Sequence, residues 1–200
     1  MNTDITSNSF LSTADTDTLR QVLLDLIVQY AYVKGDFVLS SGAKSSYYIN
    51  CKQVTLRAEG ALALGRLLFQ LLPKDTAAVA GLTLGADPMV SAVSVISAYQ
   101  DRPLPALIIR KQAKGHGTKA YIEGPSLAAG AKIVVLEDVV TTGGSALTAV
   151  ERLVDAGYEV TQILALVDRE QGGEELYNSK GIKFKALFSI KEVQQYAKVK

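Results

Sequence analysis

The apolar positions of the chain fall into short runs that are separated by polar turns. The first run, residues 18–33, has the spacing of a helix, with an apolar face formed by Val22, Leu23, Leu26, Ile27 and Tyr30. Asp15 or Thr16 would cap this helix at its start, and Gly35 would end it. Residues 37–56 then carry two β-prone runs on either side of SSGAKSS, which predicts a hairpin or a pair of edge strands.

In the rest of the chain, apolar runs typical of strands alternate with patterns typical of helices. Apolar runs at residues 77–84, 104–110, 132–140 and 159–169 predict buried strands. Helical patterns lie between them at about 58–72, 88–99 and 145–156. This order predicts a doubly wound α/β fold with a mostly parallel sheet flanked by helices. The polar stretch 111–131 is long for a connection, as lids and binding loops often are.

Composition narrows the class of protein. The 200 residues suit one domain, which we place at 16–200 behind a polar, mobile tail at 1–15. With 21 Lys and Arg against 20 Asp and Glu, the chain lacks the positive field of a nucleic-acid-binding protein. One Cys and one His argue against an internal disulfide and against a zinc site. We find no secretory or membrane segment, and we expect a cytoplasmic protein.

The stretch VVLEDVVTTGGS carries the clearest chemistry. A strand ends in two acids, Glu137 and Asp138, and the small residues 141–145 lead into a helix. The start of a helix and its free amides suit a phosphate. Because the acids would repel that phosphate, they suit the vicinal hydroxyls of a ribose. The alternative is an ordinary strand–turn–helix corner, but the paired acids favour a ribose 5-phosphate site.

LEDVVTTGGSAL resembles the phosphoribosyl pyrophosphate (PRPP) signature of type I phosphoribosyltransferases. A second motif, RKQAKGHG at 110–117, concentrates cations in an otherwise neutral chain. Most such runs are solvated surface loops, but mobile cations would also stabilise a leaving pyrophosphate. RKxxKxHG resembles the catalytic loop of orotate phosphoribosyltransferases. FVLSSGAKSSYYIN, GLTLGADPMV and VDREQGG resemble further family segments, so the likeness spans about residues 18–190.

The resemblance implies transfer of a phosphoribosyl group from PRPP to orotate, giving orotidine 5′-monophosphate and pyrophosphate in pyrimidine biosynthesis. It implies Lys114, His116 and Asp138 as catalytic residues. Orotate would contact Thr141 and Arg169, although Arg169 could instead be a surface residue paired with Asp168 or Glu170. Matches to PRPP-binding positions are Arg110, Lys111, Lys114, His116, Glu137, Asp138, Val139, Val140, Thr141, Thr142, Gly143, Gly144 and Ser145.

The family likeness also implies a hood formed mainly by residues 16–57, a flexible catalytic loop and a homodimer in which Lys111 reaches the partner's site. Mg²⁺ is the implied cofactor, held mainly by PRPP and water. Tyr47 and Tyr48 lie against the base or in the core. Ser40 and Leu84-Gly85 depart from the family, since some members carry lysines there; amides of the turn after Leu84 are possible substitutes.

Two rival functions share parts of the pattern. A purine-type phosphoribosyltransferase would have the PRPP signature but is expected to lack RKxxKxHG. A non-catalytic PRPP-sensing regulator would need a basic nucleic-acid-binding face or an added helical module. The balanced charge of the chain supplies no such face. A scaffold with a vestigial site is disfavoured by the intact acids and cations.

Overall fold

A computed structural model describes residues 8–38, 42, 44–113 and 121–200, and its first sheet is an antiparallel hairpin. Strand β1 (Tyr32–Val38) pairs with strand β2 (Lys44–Ile49). The hairpin predicted around SSGAKSS is therefore confirmed. Ser40, where the sequence departs from some family members, lies outside the described residues.

A six-stranded sheet forms the centre of the molecule. Its strands are β3 (Ala78–Leu82), β4 (Ala106–Ile109), β5 (Ile122–Glu123), β6 (Lys132–Val140), β7 (Glu159–Asp168) and β8 (Lys183–Ser189). Their order is β5-β4-β3-β6-β7-β8, and all neighbours are parallel except β5, which runs antiparallel to β4. The predicted mostly parallel, doubly wound sheet is confirmed. The carboxyl ends of β3, β6 and β7 therefore meet at one edge.

Helices cover both faces of this sheet. They are α1 (Asn8–Thr13), α2 (Thr16–Leu26), α3 (Lys52–Thr55), α4 (Ala58–Leu71), α5 (Asp87–Tyr99), α6 (Gly144–Asp155), α7 (Gly173–Ser179) and α8 (Ile190–Tyr196). Because side chains alternate along a strand, Val134 and Leu136 of β6 pack with α2, α4 and α5. Ile133 and Val135 pack with α6 and α7 on the other face. No helix in the described parts of the chain is long and apolar enough to cross a membrane.

The first helix ends earlier than its periodicity predicts. Asp15 caps α2 by accepting a hydrogen bond from the Thr18 amide at 2.7 Å, as expected. The helix does not run on to Gly35, however, because α2 gives way to a π-helical turn, Ile27–Ala31, and then to β1. Gly35 lies inside that strand. Pairing with β2 satisfies the backbone groups of this segment and overrides its helical pattern.

The tail expected at residues 1–15 differs from the structure over its second half. Asn8–Thr13 form helix α1, and the side chain of Leu11 is fully buried. Arg66 of α4 donates a hydrogen bond to the Leu11 carbonyl oxygen. The burial of Leu11 and the contact of its carbonyl oxygen with Arg66 therefore help to hold in place a stretch whose polar composition predicted mobility. Residues 1–7 lie outside the described part of the chain.

Five further elements were not predicted from the sequence. Strand β5 lies within the stretch interpreted as one long loop, α3 lies at the end of the second β-prone run, and α7, β8 and α8 all follow the last predicted strand. In β8 the burial of side chains alternates over residues 183–186, whereas the next two residues, Leu187 and Phe188, are both buried. The alternation of charged and apolar residues in KFKA was visible in the sequence, and it predicts one further strand of the sheet. Residues 114–120 of the loop are not described.

Candidate active site

A cleft of about 820 Å³ lies between the hairpin and the carboxyl ends of β6 and β7. Such a position, beyond the strand ends of an open α/β sheet, is where ligands bind in this class of fold. Its lining includes Lys44, Ser45, Tyr48, Glu137, Val139, Val140, Thr141, Thr142, Gly143, Gly144, Ser145 and Arg169. The structure thus brings the predicted phosphate turn, one of the two acids and the predicted orotate-contacting arginine into one cavity.

The phosphate turn joins the end of β6 to the start of α6. Gly143 adopts φ = 89°, a left-handed conformation that glycine tolerates best. A Cβ atom at this position would lie 2.9 Å from the ring of Tyr177, which also donates a hydrogen bond to the Gly143 carbonyl oxygen at 3.1 Å. The buried tyrosine therefore fixes the turn, and the first amides of α6 are presented to the cleft as an anion site.

The two acids at the end of β6 have different surroundings. Glu137 is buried and lines the cleft, and its Oε2 atom has no hydrogen-bond partner within the described structure. Burial, and after it the charge of Asp138, raise the pKa of Glu137 to about 8. Asp138 accepts a hydrogen bond from the Val139 amide at 3.0 Å. Two neighbouring acids of which one is more deeply buried, such as Glu137 and Asp138, can retain one proton near neutral pH.

Asp138 does not line this cavity but faces the turn after β3. A Cβ atom on Gly85 would lie 2.4 Å from its Oδ1 atom, so this turn leaves room for the carboxylate only because residue 85 is glycine. On another side the Nζ atom of Lys52 lies 3.9 Å from its Oδ2 atom. The sequence did not single out Lys52, since nothing in a local motif places α3 beside β6.

The predicted orotate-contacting residue, Arg169, is buried, with 8% of its surface exposed. Its Nε donates to the Tyr47 hydroxyl at 2.8 Å, its Nη2 to the Ser45 hydroxyl at 3.3 Å, and its guanidinium carbon lies 4.6 Å from the centre of the Tyr47 ring. The alternative of a surface ion pair is wrong, because Glu170 pairs with Lys191 at 3.0 Å instead.

The sequence left open whether Tyr47 and Tyr48 lie in the core or beside the base, and the structure places them differently. Tyr47 is buried and packs on Tyr32, with ring centroids 5.8 Å apart, so it belongs to the core while its hydroxyl supports Arg169. Tyr48 is 45% exposed, lines the cleft and packs on Phe37. Alternation along β2 therefore sends one ring inward and leaves the other beside the cavity.

Comparison with known proteins places this arrangement in a family. The phosphoribosyl transferase domain family matches residues 59–196. The chain is 68% identical over 189 residues to the orotate phosphoribosyltransferase of a Nostoc species, covering 94% of this chain and 92% of the relative. The chain belongs to the orotate phosphoribosyltransferase family. It is also 64% identical over 193 residues to the orotate phosphoribosyltransferase of a Synechocystis species, covering 96% of this chain and 97% of that relative.

Solved orotate phosphoribosyltransferases share the fold. The Mycobacterium tuberculosis enzyme in complex with Fe(III) dicitrate superposes with a TM-score of 0.77 at 36% identity, over 88% of this chain and 98% of that one. The same enzyme in complex with PRPP gives a TM-score of 0.74 at 34% identity, over 88% and 99%. Adenine phosphoribosyltransferase of Leishmania donovani, at 17% identity and a TM-score of 0.62, shares the fold alone.

The structure describes only the first four residues, 110–113, of the segment that resembles the catalytic loop of orotate phosphoribosyltransferases. Arg110 pairs with Glu123 at 2.9 Å and is absent from the cleft lining. Lys111 is exposed, and its positive charge lowers the pKa of Glu137, against the larger effect of burial. Arg152 of α6 donates to the backbone carbonyl oxygens of Arg110 and Lys111, the latter at 3.0 Å. Lys114 and His116 lie outside the described residues.

The turn where some orotate phosphoribosyltransferases carry a lysine has an apolar and a small residue here. Leu84 follows a cis peptide bond and is largely exposed. The amide of Ala86, one of the expected substitutes for the missing lysine, points at the Leu82 carbonyl oxygen at 3.4 Å. The turn therefore brings no positive side chain to Asp138.

Proposed function

We propose that this cleft transfers the phosphoribosyl group of PRPP to orotate, giving orotidine 5′-monophosphate and pyrophosphate in pyrimidine biosynthesis. The observation that carries the proposal is the order of groups at one edge of the sheet. An anion site at the start of α6, the buried carboxylate of Glu137 and the buried guanidinium of Arg169 all line the same cavity. They match the phosphate and the diol of a ribose 5-phosphate and the carboxylate of the acceptor.

At the donor end, residues 141–145 bind the 5-phosphate through backbone amides and hydroxyls. Val139 and Val140 lead into this turn and form the wall behind the ribose. Glu137 and Asp138 accept hydrogen bonds from the two ribose hydroxyls, and these bonds are stronger when both groups are ionised. The unpartnered Oε2 of Glu137 supports this role, because a buried oxygen gains the most from a new donor.

At the acceptor end, Arg169 pairs with the carboxylate of orotate, and Thr141, which lines the same cleft, contacts the base. Two of the donors of the guanidinium are already held by Tyr47 and Ser45. These two hydrogen bonds fix the plane of the guanidinium and leave its remaining N–H donors for a bidentate pair with the orotate carboxylate. Tyr48, at the wall of the cleft, offers a ring face to the flat base.

The leaving pyrophosphate gains charge in the transition state, as in other glycosyl transfers with an oxocarbenium-like ribose. Lys114, assisted by Arg110 and His116, stabilises that charge when the loop closes. Lys111 completes the site of the partner in a homodimer. These loop roles follow from the family motif RKxxKxHG and from the position of residues 110–113 at the end of β4.

Mg²⁺ is the proposed cofactor. Among the described residues no group of three or more His, Cys, Asp or Glu could hold a metal ion. Glu137 and Asp138 offer the hard oxygen ligands that Mg²⁺ prefers, and Mg²⁺ that remains partly hydrated needs few protein ligands when the substrate supplies phosphates. When bound with PRPP, the ion neutralises charge on the pyrophosphate. A cytoplasmic location stays a prediction.

Product analysis tests the proposal against its rivals. The protein is incubated with PRPP, Mg²⁺ and either orotate, adenine, hypoxanthine or guanine, and the nucleotide formed is identified by mass. We expect orotidine 5′-monophosphate from orotate and no nucleotide from the purines. A purine nucleotide would favour a purine-type enzyme, and binding of PRPP without any product would favour a regulator.

A further inference from the structure

Lys52 lies next to one of the two acids although it comes from a different part of the fold. It is the first residue of α3, directly after the fully buried Cys51, so its backbone is anchored in the core. Its Nζ lies 3.9 Å from Asp138 Oδ2, and 38% of its side chain is exposed. That separation is an ion pair but too long for a hydrogen bond, so Asp138 does not saturate the ammonium.

The orientation of the donor in the proposed site places the pyrophosphate near this lysine. In PRPP the 5-phosphate and the pyrophosphate are attached at opposite ends of the ribose ring. The start of α6 takes the phosphate, and the acids take the hydroxyls between the two ends. The pyrophosphate must therefore extend past Asp138, away from residues 141–145. The groups found on that side are the turn at Gly85 and the ammonium of Lys52.

The turn itself brings no charge to this position. Residues 83–86 read Thr-Leu-Gly-Ala, and a side chain on Gly85 would collide with Asp138. In the described part of the chain, Asp138 forms an ion pair with Lys52. Two carboxylates repel a neighbouring pyrophosphate, so a fixed cation on this side adds to the attraction of the proposed Mg²⁺ and of the loop. An ammonium that is partly exposed and loosely paired can turn from the carboxylate to the incoming anion.

We propose that Lys52 is a further PRPP-binding residue that contacts the pyrophosphate of the donor. The proposal rests on the proposed function only for the direction in which PRPP lies. In the free protein Lys52 balances Asp138. On binding, its ammonium donates to a pyrophosphate oxygen, and the Asp138 carboxylate takes the ribose hydroxyl. The same contact holds the product pyrophosphate.

The test compares Lys52→Met and Lys52→Arg with a matched control, Lys132→Met. Lys132 pairs with Asp75 at 2.8 Å at the opposite end of the same strand β6, so its loss breaks a Lys–Asp pair far from the cleft. Steady-state kinetics give KM for each substrate, and calorimetry gives the Kd of Mg-pyrophosphate. Calorimetry reports on Lys52 even if orotate is not turned over, so failure of this proposal and failure of the proposed function are distinguishable.

We expect Lys52→Met to raise the PRPP KM and the pyrophosphate Kd by about tenfold or more, the value of one charge-assisted hydrogen bond. The orotate KM should change by less than about twofold, and Lys52→Arg should recover most of the pyrophosphate affinity. Lys132→Met should behave as the wild type. An unchanged pyrophosphate Kd in folded Lys52→Met would overturn the proposal. So would an equal rise in both KM values with a lowered Tm, which would make the lysine structural.

Discussion

The Nε atom of Arg169 donates a hydrogen bond to the hydroxyl oxygen of Tyr47 across 2.8 Å, although 122 positions separate the two residues in the chain. The bond joins the end of β7 to the hairpin. Both side chains are buried, so neither can turn away to water without losing a partner. The hairpin therefore does more than cover the cleft, because it sets the direction of the guanidinium that we assign to the acceptor.

Replacement of Arg169 by Ala should raise the KM for orotate about a hundredfold, since a bidentate charged contact is lost, while the KM for PRPP changes by less than about threefold. Tyr47→Phe removes only the support and should raise the orotate KM by about three- to tenfold. Steady-state kinetics with each substrate varied in turn measure both effects. Equal effects of Arg169→Ala on the two KM values would contradict the assignment to orotate.

PRPP binding should strengthen as the pH rises through the pKa of Glu137. This carboxyl has a pKa of about 8 in the free protein, so it is largely protonated at neutral pH. As a carboxylate it accepts hydrogen bonds from the ribose hydroxyls more strongly than as a neutral acid, so PRPP binding favours the ionised form and becomes tighter at higher pH. Calorimetry at constant Mg²⁺, from about pH 7 to about pH 9, should show tighter PRPP binding at the upper end.

Glu137→Gln is the control for that measurement, because it keeps the shape and removes the titration. The phosphates of PRPP titrate in both experiments, so only the difference between the two proteins reports on Glu137. We expect the variant to bind PRPP more weakly at high pH and with a flatter pH dependence. Parallel profiles for the two proteins would show that the proton on Glu137 does not limit binding.

Arg152 contacts the chain on both sides of residues 114–120, at the start of the predicted catalytic loop and just after it. Its guanidinium donates to the carbonyl oxygens of Arg110 and Lys111 and lies 4.1 Å from the centre of the Tyr121 ring. Arg152→Met should lower kcat by about tenfold, because the start of the loop loses the side chain that holds it in place. Arg152→Lys should restore little of the activity, since one ammonium cannot donate to both carbonyl oxygens and also stack on the Tyr121 ring. Kinetics with a parallel Tm measurement check this. A lower Tm at unchanged kcat would mean that the contact only stabilises the fold.

Lys114→Ala should lower kcat by about 10²–10³, the range for losing one preorganised donor to the transition state. Lys132→Ala, which removes a lysine at the start of β6 and far from the cleft, provides a comparison for the general loss of charge. Rapid-quench measurements of a single turnover separate the chemical step from product release. Near-normal turnover by Lys114→Ala would contradict the role of the loop.

The parts of the fold that sequence reasoning predicted are those with a local signal. Residues 77–82 and 133–136 are continuous apolar runs, and the two acids and the small residues 141–145 follow the second run within one short motif. The end of α2 was missed because its helical pattern continues into residues that pair with β2 instead. Leu11 was missed because a single apolar residue in a polar stretch gives no period.

The missed parts of the site share one cause. Tyr47 meets Arg169, and Lys52 meets Asp138, only after the hairpin and α3 pack against the sheet. No spacing along the chain encodes such contacts, since they depend on how separate elements are oriented. The motif VVLEDVVTTGGS therefore predicted the donor half of the site, whereas the support of the acceptor half required the three-dimensional structure.

The measurement that tests the central claim most directly is the loss of orotate absorbance with the wild-type protein, PRPP and Mg²⁺. It is repeated with the double variant Glu137→Gln/Asp138→Asn, whose folding is checked by circular dichroism. We expect the wild type to consume orotate only when PRPP and Mg²⁺ are both present, and the folded double variant to be slower by at least about 10²-fold. Undiminished orotate consumption by the double variant, or none by the wild type, would contradict the account.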